Sequence, residues 1–153
     1  MTSNAGCYAC DSDPAVAAVP VEERIHVGDH WRVAHAFNSS LPGWLVVLPR
    51  RHVLSVADLS EAEAPEFGSL LRQVSRALVE VTGCVKTYVA VFAEAEGFAH
   101  LHAHVVPRHT DLPADRRGPA VFAYLGAPRE EQFAGPDRED LARRLSDAIH
   151  REG

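Results

Sequence analysis

Cysteine is scarce in this chain: three residues in 153, with one close pair, Cys7 and Cys10, and no second pair to match it. Four or more cysteines at regular spacing would be expected of a disulfide-stapled scaffold, so that class is excluded. A long apolar run is missing too, since no stretch approaches the ~18 to 20 residues that a membrane-spanning helix needs. Residues 1–6 show neither a basic start nor an apolar core, so no secretory leader is expected and a cytoplasmic protein is predicted. Positive charge is not in surplus. The formal net charge of −6 argues against non-specific binding to nucleic acid or to membrane surfaces, and any affinity for phosphate must be local. Repeats and low-complexity tracts are absent.

What is present is an ordinary globular composition, 46% apolar and 24% charged, long enough for one domain with a real core. In a reducing compartment Cys7 and Cys10 read as metal ligands or a redox pair, whereas Cys84, alone before an apolar strand, reads as a small buried hydrophobe.

The most informative stretch is residues 98–108. His100, His102 and His104 alternate there with Leu101, Ala103 and Val105, the pattern of a strand with a polar and an apolar face. Three imidazoles on one face are a poor way to fill a core, because each brings donors and acceptors that must be satisfied. They suit either a metal site or nucleophilic catalysis. Same-face residues stand roughly 6.6 Å apart along a strand, which makes three-histidine chelation of one ion awkward. One ring on a metal and the next free to attack is the easier division.

The order of elements predicts an α+β fold. Residues 23–27 and 31–37 read as strands joined by Gly28-Asp29-His30, and 44–48 as a central strand. Ser60-Glu61-Ala62-Glu63 is a capping-box pattern. It opens a helix whose stripe of Phe67, Leu70, Leu71, Val74, Leu78 and Val81 is closed by Gly83. Residues 85–92 form the next strand and 93–97 a short loop before the histidines. Beyond Arg108 come a loop, an apolar segment at 121–125 of undecided type, and a last helix capped by Asp137 with a stripe of Leu141, Leu145, Ala148 and Ile149.

His100-Leu-His102-Ala-His104-Val-Val, followed by Pro107-Arg108, resembles the signature of the histidine triad (HIT) superfamily of nucleotide hydrolases and transferases. Residues 41–53, from Leu41-Pro42-Gly43-Trp44 to His52-Val53, resemble the family's Pro-Gly-His-x-Leu-Val-x-Pro-x-x-His strand. Cys7-Tyr8-Ala9-Cys10 is similar to the N-terminal pair of zinc-carrying bacterial members. These matches span residues 7–108, and residues 109–153 form a C-terminal extension without a motif.

The resemblance implies a single HIT-like domain over residues 1–153, with an antiparallel sheet of about five strands, one long helix and a C-terminal helix. It implies a structural zinc on Cys7, Cys10, His52 and His100. It makes His102 the nucleophile at the α-phosphorus of a nucleoside phosphate conjugate, such as a dinucleoside polyphosphate or a nucleoside phosphoramidate, through a covalent nucleotidyl-histidine. His104 would contact the phosphoryl oxygens or the leaving group as a donor. A homodimer is expected by the same analogy.

Three departures stand out. Trp44 occupies the place of a family histidine and is read as a residue that can stack on substrate. Ala36 stands where an acidic or amide residue commonly binds ribose, a task within reach of Asn38. The loop before the triad offers Glu94 and Glu96 instead of an amide, and carboxylates beside a phosphate repel it by about 1 kcal/mol at ~4 Å in water, more when buried. Two other readings stay open: a zinc-stabilised nucleotide-binding module with little turnover, and a metal-dependent hydrolase with the histidines as catalytic ligands. Arg50, Arg51 and Arg108 read as solvated surface, and His26, His30, His35, His109 and His150 as incidental.

Overall fold

The computed structural model describes residues 6–151. The leader-free reading of the N-terminus rests largely on residues before these and lies outside them.

A five-stranded antiparallel sheet runs in the order β1-β2-β3-β5-β4, with β1 His26–Val27, β2 Trp31–His35, β3 Leu45–Pro49, β4 Lys86–Val91 and β5 Ala103–Arg108. The helices are α1 Tyr8–Ser12, α2 Glu63–Thr82 and α3 Pro136–His150. The α+β architecture with one long and one C-terminal helix is the one expected from the sequence.

One sheet face carries the core. Trp31 and Val33 of β2, Leu45 and Val47 of β3, and Ala103 and Val105 of β5 pack beneath Leu70, Val74 and Leu78 of α2 and Leu141, Leu145 and Ile149 of α3. Both helical stripes therefore turn to the sheet, and Cys84 is buried with them. Trp31 stacks on Phe67 with centroids 4.6 Å apart and donates from its indole to the Glu63 carbonyl, fastening β2 to the start of α2. Such a ring pair adds about 0.5–1.5 kcal/mol beyond the area it buries. The capping box forms as read: the Glu63 carboxylate accepts from Ser60 N at 2.8 Å, and Ser60 Oγ from Glu63 N at 3.2 Å.

Several boundaries differ from the sequence reading. Residues 23–27 yield only a two-residue strand, because Pro20 starts a 3₁₀ turn in which the Glu23 and Arg24 N–H groups bond back to Pro20 and Val21. Cys7 is the N-cap of a short helix, Tyr8–Ser12, that carries Cys10. The undecided 121–125 segment belongs to a 3₁₀ run, Gly118–Tyr124. Asp137 does not cap the last helix: Gly135 is the N-cap and Asp137 lies in the first turn, where its charge still favours the positive end of the helix dipole. The regular strand of the triad starts only at Ala103, so His100 and His102 sit in the segment that leads into it.

The other sheet face is a floor for function. Arg32 and Ala34, then Val46 and Leu48, then His102 and His104 line a cavity of about 380 Å³. Its walls come from several segments: Tyr8 at the N-terminus, Glu22 and Glu23, Phe37 and Asn38, the 92–98 loop, and Phe122, Leu125 and Arg138 beyond the triad.

Candidate functional site

The histidine row keeps its alternation through the change in backbone. Leu101, Ala103 and Val105 are buried in the core, while His100, His102 and His104 all face the cavity. Each ring is oriented by a different partner, and the partner sets its tautomer.

His102 Nδ1–H donates to the His100 carbonyl at 2.8 Å, which leaves Nε2 as the ring's lone-pair nitrogen. His104 is oriented the opposite way. Its Nδ1 accepts the indole N–H of Trp44 at 3.1 Å, so in the neutral ring Nε2 carries the proton. Burial, helped by the charge of His102 when that ring is protonated, holds His104 down at about 4. The rings of His102 and His104 meet edge to face with centroids 4.8 Å apart. A lone-pair nitrogen and an N–H donor thus stand side by side on one floor.

Trp44 is not where the sequence reading put it. It is fully buried, held edge-on by His104 and Phe122, and presents no face on which a ligand could stack. Its place is behind the histidine. The turn before it needs glycine: Gly43 has φ +85°, and a Cβ there would meet Leu78 and Pro107 at 3.3 Å. His35, read as incidental, secures the same turn by accepting from Gly43 N at 2.9 Å and donating to the Ala36 carbonyl at 2.8 Å. Burial, against the pull of that carbonyl bond, keeps His35 neutral with its pKa down at about 4.

Asn38 does line the cavity, although β2 ends at His35 and Asn38 lies in a turn. Glu94 reaches the lining as well, but both Glu94 and Glu96 are exposed, where water screens their repulsion. The preceding Ala93 holds a left-handed backbone, φ 54°, a conformation that costs energy in a non-glycine residue and clusters at functional loops. Tyr8, Phe37 and Phe98 form a half-exposed trio of rings at the cavity, with centroids 5.6 to 6.0 Å apart. Arg50 pairs with Asp13 and Arg51 with Glu63, away from the cavity.

Cys7, Cys10, His52 and His100 come together from three separate segments, with their ligand atoms within 4.8 Å of one another. Cys10 Sγ lies 3.2 Å from His52 Nδ1 and 3.5 Å from His100 Nδ1, Cys7 Sγ 3.6 Å from His100 Nδ1, and the two Nδ1 atoms are 3.3 Å apart. A tetrahedral zinc with bonds of about 2.3 Å to sulfur and 2.0 Å to nitrogen has edges of roughly 3.5 Å (S to N) and 3.3 Å (N to N). The four residues therefore fit such an ion. The supporting contacts agree: His100 Nε2–H donates to the Pro49 carbonyl at 2.6 Å, turning Nδ1 toward the cluster. Burial, with Cys7 alongside, pushes the Cys10 thiol up to about 12, so the Cys10 thiolate calls for a cation beside it. His102 and His104 take no part in this cluster.

Two cavity residues carried no sequence signal. Arg32 alternates into β2 between buried apolar residues, and Arg138 comes from α3. A lone arginine in an alternating strand reads as its solvent face; here that face is the cavity floor.

The fold and site define a class: small α+β proteins in which alternating histidines open a central antiparallel strand. The HIT domain family model matches residues 22–111, and the chain belongs to that family, one of nucleotide-binding proteins and nucleotide hydrolases. Among solved structures, a zinc-bound histidine triad family protein from Mycobacterium smegmatis is similar at TM-score 0.69 and 19% identity, covering 98% of this chain and 97% of that one. A histidine triad protein from Bradyrhizobium japonicum is similar at TM-score 0.64 and 26% identity over 84% and 87%. A hypothetical histidine triad nucleotide-binding protein from Sulfolobus tokodaii gives 0.69 and 15% over 95% and 93%. Comparison with curated protein sequences gave no match.

Proposed function

We propose that the protein is a nucleotide hydrolase or nucleotidyl transferase acting at the α-phosphate of a nucleoside phosphate conjugate. The observation that carries this reading is the pair of opposite tautomers: His102 with Nε2 unprotonated, His104 with Nε2–H donating, on one cavity floor. His102 Nε2 attacks the α-phosphorus, the bond to the leaving group breaks, and the nucleotide is held as a phosphoramidate on the ring. Water or another acceptor then attacks phosphorus and the histidine leaves. His104 Nε2–H donates to a phosphoryl oxygen or to the leaving group. Asn38 takes the ribose hydroxyls in place of the absent acidic residue, and the Tyr8, Phe37 and Phe98 rings offer faces for a base.

The four-residue cluster holds a zinc ion whose role is structural, closing the N-terminus onto residues 52 and 100. A zinc-bound relative supports the metal's identity. Because the cluster takes His100 and leaves His102 and His104 out, the geometry favours nucleophilic over metal-centred catalysis. The protein acts in the cytoplasm; no helix among the described residues is long and apolar enough to cross a membrane. It works as a homodimer. Support for pairing comes from β4, an edge strand with Val89 and Val91 exposed beside exposed Val85 and Val79, since bare apolar edges invite a partner strand.

The test is intact-protein mass spectrometry after brief mixing with adenosine phosphoramidate and, separately, with a dinucleoside polyphosphate. An adenylyl adduct or free AMP from wild type, absent in His102→Ala, is expected. Nucleotide binding without adduct or AMP from either compound would leave a binding module.

A further inference from the structure

Arg32 is 97% buried by exposed area, at 3%, yet it has no ion pair among the described residues. Its Nη2 donates to Ser12 Oγ at 3.0 Å, while Nε and Nη1 are buried with no partner. A guanidinium does not deprotonate in proteins, so burial cannot be relieved by neutralisation. Removing a charge from water without pairing it is among the costliest arrangements a fold can hold. Arg32 faces the cavity, and the cavity is where the compensation must come from.

A second cation, itself paired on one side, comes from another element. Arg138 of α3 lines the same cavity, and its Nε is also buried without a partner. The carboxylates nearby do not reach Arg32. Glu22 pairs with Arg138 Nη2 at 3.3 Å, and Glu23 is engaged with Tyr8, whose hydroxyl is pushed up first by burial and then by that carboxylate. Arg32 and Arg138 thus line one cavity, with three of their nitrogens buried and holding no partner.

Sheet register says how far this lies from the reacting histidine. Arg32 pairs with Leu48 across β2 and β3, and the β3–β5 register Val46↔His104, carried two residues on, sets Leu48 opposite His102. Arg32 and His102 thus share a row two strand spacings wide, about 10 Å between backbones. Side chains standing upright on that row hold the Arg32 guanidinium apart from a phosphoryl group bonded to His102, which leaves Arg32 to another part of the ligand.

We propose that Arg32 and Arg138 bind a second anionic group of the substrate, a carboxylate or phosphate distinct from the α-phosphate. This rests on the reading of the site as a nucleotide conjugate site and narrows it to conjugates with an additional acid. Neutral-ended conjugates are poor substrates. Arg138 lies outside the residues matched by the family model, so the C-terminal helix supplies part of this chain's own selectivity.

Titration calorimetry on His102→Ala protein, where nothing turns over, tests this with three ligands: AMP, adenosine 3′,5′-bisphosphate, and the glycine phosphoramidate of AMP. The last two carry the added acid on the sugar and on the leaving side. At least one of them binds about tenfold tighter than AMP, the worth of a charge-assisted bond, and which one it is identifies the anion's source. Adding Arg32→Gln, or Arg138→Gln if the first does not fold, reduces that advantage to within about twofold while AMP affinity holds. No advantage for either acid-bearing ligand overturns the proposal. So does an equal loss of all three ligands, which would give the arginines to the α-phosphate. No AMP binding at all would instead overturn the nucleotide reading itself.

Discussion

The indole N–H of Trp44 donates to Nδ1 of His104 across 3.1 Å, with both rings buried. A tryptophan nitrogen is a donor only, so this contact permits one neutral tautomer and points the His104 N–H into the cavity. A histidine in the place of Trp44 would carry two nitrogens and leave that choice open.

Trp44→Phe keeps an aromatic ring but leaves His104 Nδ1 buried without a donor. The expected cost is about 1–3 kcal/mol of stability, read by urea unfolding, with a change in the His104 ring nitrogen shifts by NMR. Unchanged shifts would show that the indole does not set the tautomer.

The Cys/His cluster predicts one zinc per chain, measured by elemental analysis of protein purified without added metal. His102→Ala keeps that zinc, whereas Cys10→Ser loses it together with several kcal/mol of stability, because binding energy at such a site is folding energy. Zinc lost on replacing His102 would return the histidine row to the catalytic-metal reading.

Acid sensitivity follows from His35 and His104. Burial lowers both from 6.5 to about 4, so between those values the unfolded chain binds protons that the folded chain refuses. Stability is complete above about pH 6.5 and falls as pH drops toward 4, by at most roughly 3 kcal/mol per ring. His104→Asn, which leaves the metal cluster untouched, should flatten the slope of unfolding free energy between pH 7 and 5; an unaltered slope rules His104 out as its source.

Dimerisation through β4 is tested at Val89, which is half-exposed at the middle of the edge strand. Val89→Lys places a charge in any strand-to-strand seam, and sedimentation should then report a monomer where wild type is a dimer. A wild-type monomer, or a variant that still pairs, removes this surface from consideration.

Local pattern was enough for much of the architecture. Alternation at 100–105 announced which side chains face together, and it survived even where the strand is irregular, because period two is a property of extended backbone. Ser60 and Glu63 found each other because a capping box is closed within four residues. The same locality explains the misplaced strand at 23–27, where Pro20 imposed a turn that apolar alternation does not reveal.

What the amino-acid order determined by itself was therefore the family, the α+β plan and the candidate residues of the histidine row and cluster. Tertiary structure alone decided that Trp44 stands behind His104, that His35 bolts the Gly43 turn, and that two arginines 106 positions apart, each with orphaned donors, line one cavity. A pattern along the chain fixes which face a residue takes, but burial and pairing depend on what the rest of the chain lays over that face. Here the covering segments come from both ends of the sequence, and Arg32 becomes a buried charge only once they close over it.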